Sequence, residues 1–114
     1  MRVSRQQAPL AVVVAGLGAA GVAKLAAMQF TKDNFERWGY ADPARFVIGA
    51  IEVGVAAAAV AGLRSPEARP VAAVGTLCSM AAALATHIRA CDTAPNYVPP
   101  VLLTAAAITV LARD

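Results

Sequence analysis

The chain has 114 residues, of which 59% are hydrophobic and 15% are charged, and its formal net charge is +3. Ordinary soluble domains are roughly 45–50% apolar and about 25% charged, so this composition disfavours a conventional water-soluble domain. The ten Lys and Arg residues are scattered over the ends of apolar segments rather than gathered on one face. This distribution excludes a nucleic-acid-binding surface of the usual kind.

Four apolar segments occupy most of the chain, and each is close to the roughly 17–25 residues that a helix needs to cross a bilayer. The connections between them are short and polar, except that the first is longer and is expected to be surface-lying or turn-rich. The sequence therefore predicts an all-α, integral membrane, antiparallel four-helix bundle, with residues 1–114 as one domain. The predicted helices are 9–29, 45–63, 70–88 and 97–112.

The first apolar segment permits two other interpretations. Basic residues precede it, as in a secretory leader, but the apolar run continues past Lys24. Residues 16–21 spell G-x-G-x-x-G, the fingerprint of a dinucleotide-binding turn. That motif needs a second strand ending in an acidic residue about 20 residues later, and the polar segment 29–45 has no β-branched run. Small residues also allow membrane helices to approach closely, and this interpretation is favoured.

A soluble, alanine-rich bundle is the remaining alternative for the whole chain. It would require polar faces at the helical period, which the later three segments lack. In the last segment, Pro99 and Pro100 remove two backbone donors, so the helix either begins there or is kinked. Cys78 and Cys91 would lie roughly 20 Å apart on one helix, too far for a disulfide. With a single histidine, a closed four-ligand metal site is not expected.

Ionisable residues inside the apolar segments are the strongest functional signal, because charge in hydrocarbon is costly and usually faces a bundle interior. Lys24 lies about one turn before the end of the first predicted helix, Glu52 lies about two turns into the second, and His87 lies at the end of the third. Because consecutive spans are antiparallel, the three residues are expected in the same half of the membrane. The alternative without a functional role is that the Lys24 side chain extends to the membrane–water interface and that Glu52 is its partner in a structural salt bridge.

A polar pocket is predicted around these residues, beneath an aromatic lid formed by Phe35, Trp38 and Tyr40. Part of its wall is one face of the third predicted helix, where polar residues recur at helical spacing. Glu52 and His87 are the candidate catalytic residues. The candidate substrate-binding residues are Lys24, Trp38, Tyr40, Thr76, Ser79, Met80 and Tyr97.

Several short motifs resemble the DoxX-like family of small four-helix membrane proteins. They comprise Gly21–Leu25, the aromatic segment Trp38–Tyr40, Ile48–Gly54, and Met80 followed by His87. The family takes its name from a subunit associated with thiosulfate:quinone oxidoreduction, and other members are linked to membrane oxidoreductase complexes. The resemblance implies the same fold. The matching positions are Lys24, Gly49, Glu52, Met80 and His87.

Three functions follow as hypotheses. The first is a quinone-linked or redox-partnered membrane subunit, in which Glu52 and His87 carry protons. The second is a cofactor-free isomerase or epoxide-opening cyclase in which Glu52 is the acid. The third is a non-catalytic helper that packs on a larger membrane protein through Gly54, Ala58 and Gly62. No cofactor is implied other than a quinone.

The expected partners are the lipid bilayer, an apolar small molecule or quinone, a larger membrane or redox protein, and a second copy of the chain. The expected location is the cytoplasmic membrane of a prokaryote. Lys and Arg residues are evenly divided between the two sides of the bundle, so the positive-inside rule does not set the orientation. Acidic residues concentrate on the side away from the termini, which favours cytoplasmic termini.

Overall fold

The computed structural model describes residues 5–113, which form an all-helical bundle. Helix α2 is short, and a 3-10 helix, Ala94–Tyr97, leads directly into α5. Three helices, together with the 3-10 helix and α5 as a fourth unit, are long and apolar enough to span a membrane. The predicted architecture is therefore confirmed. The α-helices are α1 (Gln7–Leu25), α2 (Gln29–Trp38), α3 (Asp42–Gly62), α4 (Ala68–Arg89) and α5 (Val98–Arg113).

Helix α2 occupies the connection that the sequence predicted as a surface-lying or turn-rich segment. Its ten residues are mostly polar, but Thr31 and Phe35 are buried against the bundle while neighbouring positions are exposed. One buried face at helical spacing is enough to hold a short helix on a bundle, although its isolated helix would be unstable. The helix lies across the end of the bundle where α1 and α4 finish and α3 begins.

Helix α1 ends at Leu25, because Ala27 has left-handed backbone geometry with φ 55°. The amide of Ala27 donates to Lys24 O, and that of Met28 donates to Ala23 O. This pair of bonds is a Schellman motif, which satisfies the last carbonyls of the helix and reverses the chain. The first helix thus ends four residues before the predicted end at residue 29, and Gln29 instead begins the separate helix α2.

The spans α1, α3, α4 and α5 form a ring in which each contacts its neighbours, and small residues set the closest approaches. At Gly21 of α1, an added Cβ would lie 2.8 Å from the carbonyl oxygen of Gly49 on α3. The backbones of α1 and α3 therefore touch at a glycine pair. The centre of the bundle is filled by aliphatic side chains and alanines: Leu10, Val13, Leu17, Ala59, Ala72, Ala107 and Val110.

Helix α5 begins at Val98, directly after the 3-10 helix, so the first of the two alternatives for this segment holds. Pro99 and Pro100 lie in its first turn, where backbone N–H groups have no intrahelical acceptor and proline is tolerated. At the opposite end of the bundle, Gln6 Nε2 donates to Val110 O over 3.0 Å. This bond joins the start of α1 to the end of α5, so both termini are on the same side of the bundle.

Candidate ligand-binding site

A cavity of about 740 Å³ lies inside the half of the bundle nearest α2. Small-molecule sites typically measure about 300–1,000 Å³ and are mostly apolar with a few convergent polar groups. Every span and α2 contribute to the lining. The polar and aromatic members of the lining are Lys24, Asn34, Phe35, Trp38, Tyr40, Glu52, Ser79, Thr86, His87 and Asn96.

An ion pair joins α1 to α3 at the cavity wall. Lys24 Nζ lies 2.7 Å from Glu52 Oε1, and Glu52 as a whole residue is only 6% exposed. Lys24 follows Gly21 by one turn and Glu52 follows Gly49 by one turn, and because α1 and α3 are antiparallel the two residues flank the glycine contact on opposite sides. A Cβ added at Gly49 would lie 3.0 Å from Lys24 Cβ, so the stem of Lys24 starts beside Gly49. The close approach of the two backbones is thus what brings the charges together. Lys24 is the one cation within ion-pair distance of Glu52 in residues 5–113.

A second polar cluster is centred on Asp92, in the loop after α4. His87 Nδ1 lies 2.6 Å from Asp92 Oδ2, and Trp38 Nε1 donates to the same oxygen over 3.1 Å. Arg37 donates to the other carboxylate oxygen, Oδ1. Because Nδ1 of His87 is bonded to Asp92, Nε2 is the ring nitrogen available to a ligand in the cavity. The cluster therefore orients the imidazole and also ties α2 to α4.

The loop geometry after α4 places Asp92 beside His87. Cys91 adopts left-handed geometry, with φ 55°, and the amide of Asp92 donates to His87 O over 3.0 Å. The amide of Cys91 donates to Ile88 O, which completes a Schellman motif like the one at the end of α1. The chain is thereby turned back over its own last helical turn, so a residue five positions after His87 contacts its side chain.

Hydrogen bonding also sets the charge state of Asp92. The bond with His87 is the main cause, and the bonds from Arg37 and Trp38 add to it; together they hold the pKa of Asp92 at about 2, below its ordinary value of 3.8. The carboxyl group is therefore ionised throughout the physiological range.

Aromatic rings close the α2 end of the cavity. The centroid of Phe35 lies 5.3 Å from that of Trp38 and 5.7 Å from that of Tyr40, and Trp38 meets His87 edge-on at 5.4 Å. The Tyr40 hydroxyl lies 2.8 Å from Thr86 Oγ1, which fixes the ring against α4. The three aromatic residues predicted as a lid thus pack together over the cavity.

The structure brings most of the sequence-predicted residues to one cavity, but two lie elsewhere. Thr76 is fully buried in the bundle core, and its hydroxyl donates to Ala72 O over 2.8 Å. Tyr97 lies outside the cavity lining, with its ring 5.5 Å from that of His87. The predicted residues that line the cavity are Lys24, Trp38, Tyr40, Glu52, Ser79, Met80 and His87.

Sequence reasoning missed two parts of this site. It did not place Asp92 at the centre of the His87 cluster, and it did not predict that a row of small residues on α1 would line the cavity. The sequence does contain a pattern that could have predicted this row, because Gly16, Ala20 and Lys24 follow one another at four-residue spacing. Within residues 5–113, no three His, Cys, Asp or Glu side chains are grouped as metal ligands.

Protonation of Asp92 is expected to release α2 from α4. The folded pKa of about 2 lies below the ordinary 3.8, so the stability contributed by Asp92 is present above about pH 4 and is lost as the pH falls to about 2. Trp38, the single tryptophan of the chain, bonds this carboxylate and reports the change by its fluorescence. In an acid titration, the wild type should show a Trp38 transition with a midpoint near pH 2.

The Asp92→Asn variant should lack that transition and should show altered Trp38 emission already at neutral pH. Asp33→Asn is the matched control, because Asp33 is an exposed residue of α2 that bonds only Gln29 among the hydrogen bonds of the described chain. An unchanged acid transition in Asp92→Asn would show that another group ties α2 to the bundle.

The fold and cavity define a small, four-span integral membrane protein with a largely apolar cavity and a polar cluster at the α2 end of the bundle. The chain belongs to the DoxX-like family, whose sequence model matches residues 9–110. No curated protein matched the chain, and no solved structure matched it. The family assignment predicted from the sequence motifs is thus confirmed.

Proposed function

We propose that the protein is a quinone-linked membrane subunit, which binds the head group of an isoprenoid quinone in the cavity and exchanges its protons. The observation that carries the proposal is that the Lys24–Glu52 ion pair and His87, which is bonded to Asp92, line the same apolar cavity. A quinone head group is a planar apolar ring with an oxygen at each end. It requires apolar walls together with groups that donate and accept protons at its oxygens.

Proton exchange follows from the chemistry of these side chains. When a quinol is oxidised, its two hydroxyl protons leave to His87 Nε2 and to the Glu52 carboxylate, and two electrons pass to a redox partner protein that carries a flavin or a metal centre. The product is the quinone. In the opposite direction the quinone takes two electrons and two protons. Asp92 keeps the imidazole oriented, and the Lys24 ammonium donates a hydrogen bond to the carbonyl form.

The ion pair argues against the isomerase or cyclase hypothesis. That mechanism requires Glu52 to be a neutral acid that protonates an alkene or an epoxide. Here the carboxyl group lies 2.7 Å from the ammonium group of Lys24, so a neutral Glu52 would give up this ion pair. A carboxylate beside an ammonium group can accept a quinol proton, whereas it cannot deliver one to an alkene.

The helper hypothesis has one observation in its favour. Gly54 is exposed on the outer surface of α3, and a Cβ added there would meet no atom within 4 Å. Gly62, predicted for the same surface, is instead buried against Arg69 and Leu10. The exposed surface at Gly54 could therefore contact the redox partner protein that the proposed electron transfer requires. A contact through Gly54 and the quinone site can thus coexist.

We further propose that the protein resides in the cytoplasmic membrane of a prokaryote with both termini in the cytoplasm. The cavity end, α2 and the loop containing Cys91 would then face outwards. Labelling of Cys91, which is exposed, by a membrane-impermeant maleimide in intact cells tests this orientation. If Cys91 is labelled only after the cells are broken open, the loop that contains it faces the cytoplasm and the proposed orientation is wrong.

Quinone binding is expected to quench Trp38 fluorescence, because the indole lines the cavity and the chain has no other tryptophan. In nanodiscs, quenching by an added isoprenoid quinone should saturate in the wild type. Glu52→Gln and His87→Gln should each weaken binding about tenfold, the effect of losing one charge-assisted hydrogen bond of about 1.4 kcal/mol. Lys32→Gln, on the exposed surface of α2, is the control and should bind like the wild type.

Quenching that rises linearly with quinone and is equal in all variants would reflect random collisions in the lipid and would contradict the proposal. If a terpenoid hydrocarbon instead of a quinone competes for the cavity, the isomerase or cyclase hypothesis gains support.

A further inference from the structure

We infer that the seam between α1 and α5 holds the isoprenoid tail of the ligand, with Gly16 and Ala20 setting the width of this tail groove. The inference rests on the proposed function, since it assigns the apolar part of the same ligand. It adds a second subsite and two specificity-determining positions that carry no polar or reactive group.

The lining contributed by α1 forms a single stripe along the helix. Val12, Gly16, Ala20 and Lys24 all line the cavity and follow one another at four-residue spacing, so they form one continuous stripe that drifts around the helix by about 40° at each step. At a rise of about 1.5 Å per residue, the stripe from Lys24 to Val12 extends roughly 18 Å. Its polar end is at Lys24, beside Glu52, and the remainder is apolar. A head group at the Lys24 end leaves the rest of the stripe to an apolar chain.

The far end of the stripe reaches the lipid-facing surface. Val12 on α1 is 44% exposed and Leu102 on α5 is 59% exposed, yet both line the cavity. A ligand within the cavity can therefore continue into the bilayer between these two helices. Hydrocarbon chains do not need to be enclosed in a membrane, because surrounding lipid solvates them as well as protein does.

The width of the groove depends on the absence of side chains. A Cβ added at Gly16 would lie 2.7 Å from Leu103 Cδ2, so Leu103 packs on the bare backbone of Gly16, and a larger residue there would push the Leu103 side chain into the groove. Ala20, one turn nearer to Lys24, presents a single methyl group to the cavity. A groove with a glycine and an alanine on one wall has the width of one linear hydrocarbon chain and is too narrow for a ring like that of the quinone head group.

The lining also reaches the surface between α3 and α4, where Ile51 is 53% exposed and Cys78 is exposed. This opening lies directly beside Glu52, because Ile51 precedes it in the chain. It therefore offers the head group a short lateral route but no length of apolar groove. The extended stripe on α1 is what distinguishes the α1–α5 seam as the tail site.

The test compares two quinones with the same head group, one with a full-length isoprenoid tail and one with a single isoprene unit. Binding is measured by Trp38 quenching in phosphatidylcholine nanodiscs at matched quinone-to-lipid ratios. Ala20→Leu should weaken binding of the long-tailed quinone about tenfold and leave that of the short-tailed quinone within about twofold. Ala19→Leu is the matched control, since Ala19 is exposed and lies outside the cavity lining.

A third variant, Ala82→Leu, narrows the α3–α4 opening. If it selectively weakens binding of the long-tailed quinone while Ala20→Leu does not, the tail lies between α3 and α4 and the inference is overturned. Equal loss of both quinones in Ala20→Leu also overturns it, because the groove would then belong to the head-group site. Failure of the proposed function is a different result: the wild type would bind neither quinone saturably.

Discussion

Replacing Lys24 by methionine is expected to lower the free energy of unfolding by about 3–5 kcal/mol, the usual cost of leaving one charge of a buried pair without its partner. Glu52 is 6% exposed and lies within a membrane span, so water cannot replace the lost ammonium group. Methionine preserves the apolar stem of the lysine, so the loss reports the charge rather than packing. Thermal or denaturant unfolding in detergent, read by circular dichroism, measures the change.

The double variant Lys24→Met/Glu52→Leu should recover most of that stability, because an apolar pair avoids the cost of burying two charges. It should nevertheless lose saturable quinone binding. Lys32→Met, on the exposed face of α2, controls for the general effect of removing a positive charge. If the single variant is as stable as the wild type, the ion pair does not hold α1 to α3, and the argument that places Glu52 in the cavity as a carboxylate fails.

Replacing Gly21 by alanine is expected to destabilise the bundle by about 1–3 kcal/mol, the range for forcing extra volume into a close-packed contact. The new Cβ would lie 2.7 Å from Val53 Cγ2, 2.8 Å from Gly49 O and 3.0 Å from Val53 N. Two of these atoms belong to the backbone, so a side-chain rotation cannot relieve the clash. The helices must separate, and Lys24 moves away from Glu52 with them. Unfolding in detergent measures the destabilisation.

Gly54→Ala is the matched control on α3, because a Cβ there meets nothing within 4 Å. Replacing glycine by alanine at such an open helical position should leave stability unchanged or raise it by up to about 1 kcal/mol. The combination of a destabilised Gly21→Ala and a neutral Gly54→Ala would locate the close contact on the inner face of α3. Equal effects of the two substitutions would contradict that packing.

The sequence allowed prediction of the spans and of which ionisable residues share one end of the bundle. Bilayer thickness sets the length of an apolar helix, and antiparallel connections then place Lys24, Glu52 and His87 in the same half of the membrane. These two predictions depend only on segment length and chain direction. They need no knowledge of rotation about each helix axis, which is why they succeeded.

Side-chain direction was harder to predict, because it depends on how each helix rotates against its neighbours. Thr76 shares a helical face with cavity residues, yet it is buried in the core and its hydroxyl bonds the Ala72 carbonyl of its own helix. A threonine whose hydroxyl bonds a carbonyl of its own helix can lie either in the core or at the cavity wall, so its residue type does not distinguish the two positions. The same ambiguity applies to Tyr97, which contacts His87 from outside the lining.

The position of Asp92 depends on the backbone geometry of the turn after α4, which the residue types in that turn do not predict. The residue that ends a helix in left-handed backbone geometry is usually glycine, as Gly39 is after α2. After α1 and α4, however, Ala27 and Cys91 adopt that geometry. Without a glycine signal, the turn after α4 reads as an ordinary loop. Helix α2 was missed for a different reason: its ten residues are mostly polar and too few to span a membrane, so the segment was predicted only as a surface-lying or turn-rich connection.

Mass spectrometry of small molecules that co-purify with the detergent-solubilised protein tests the quinone proposal most directly. The wild type and the Ala19→Leu control should retain an isoprenoid quinone at a fixed ratio to protein, and Glu52→Gln should retain much less. Absence of any quinone from the wild type, or an equal amount in wild type and Glu52→Gln, would contradict a quinone site built around Glu52.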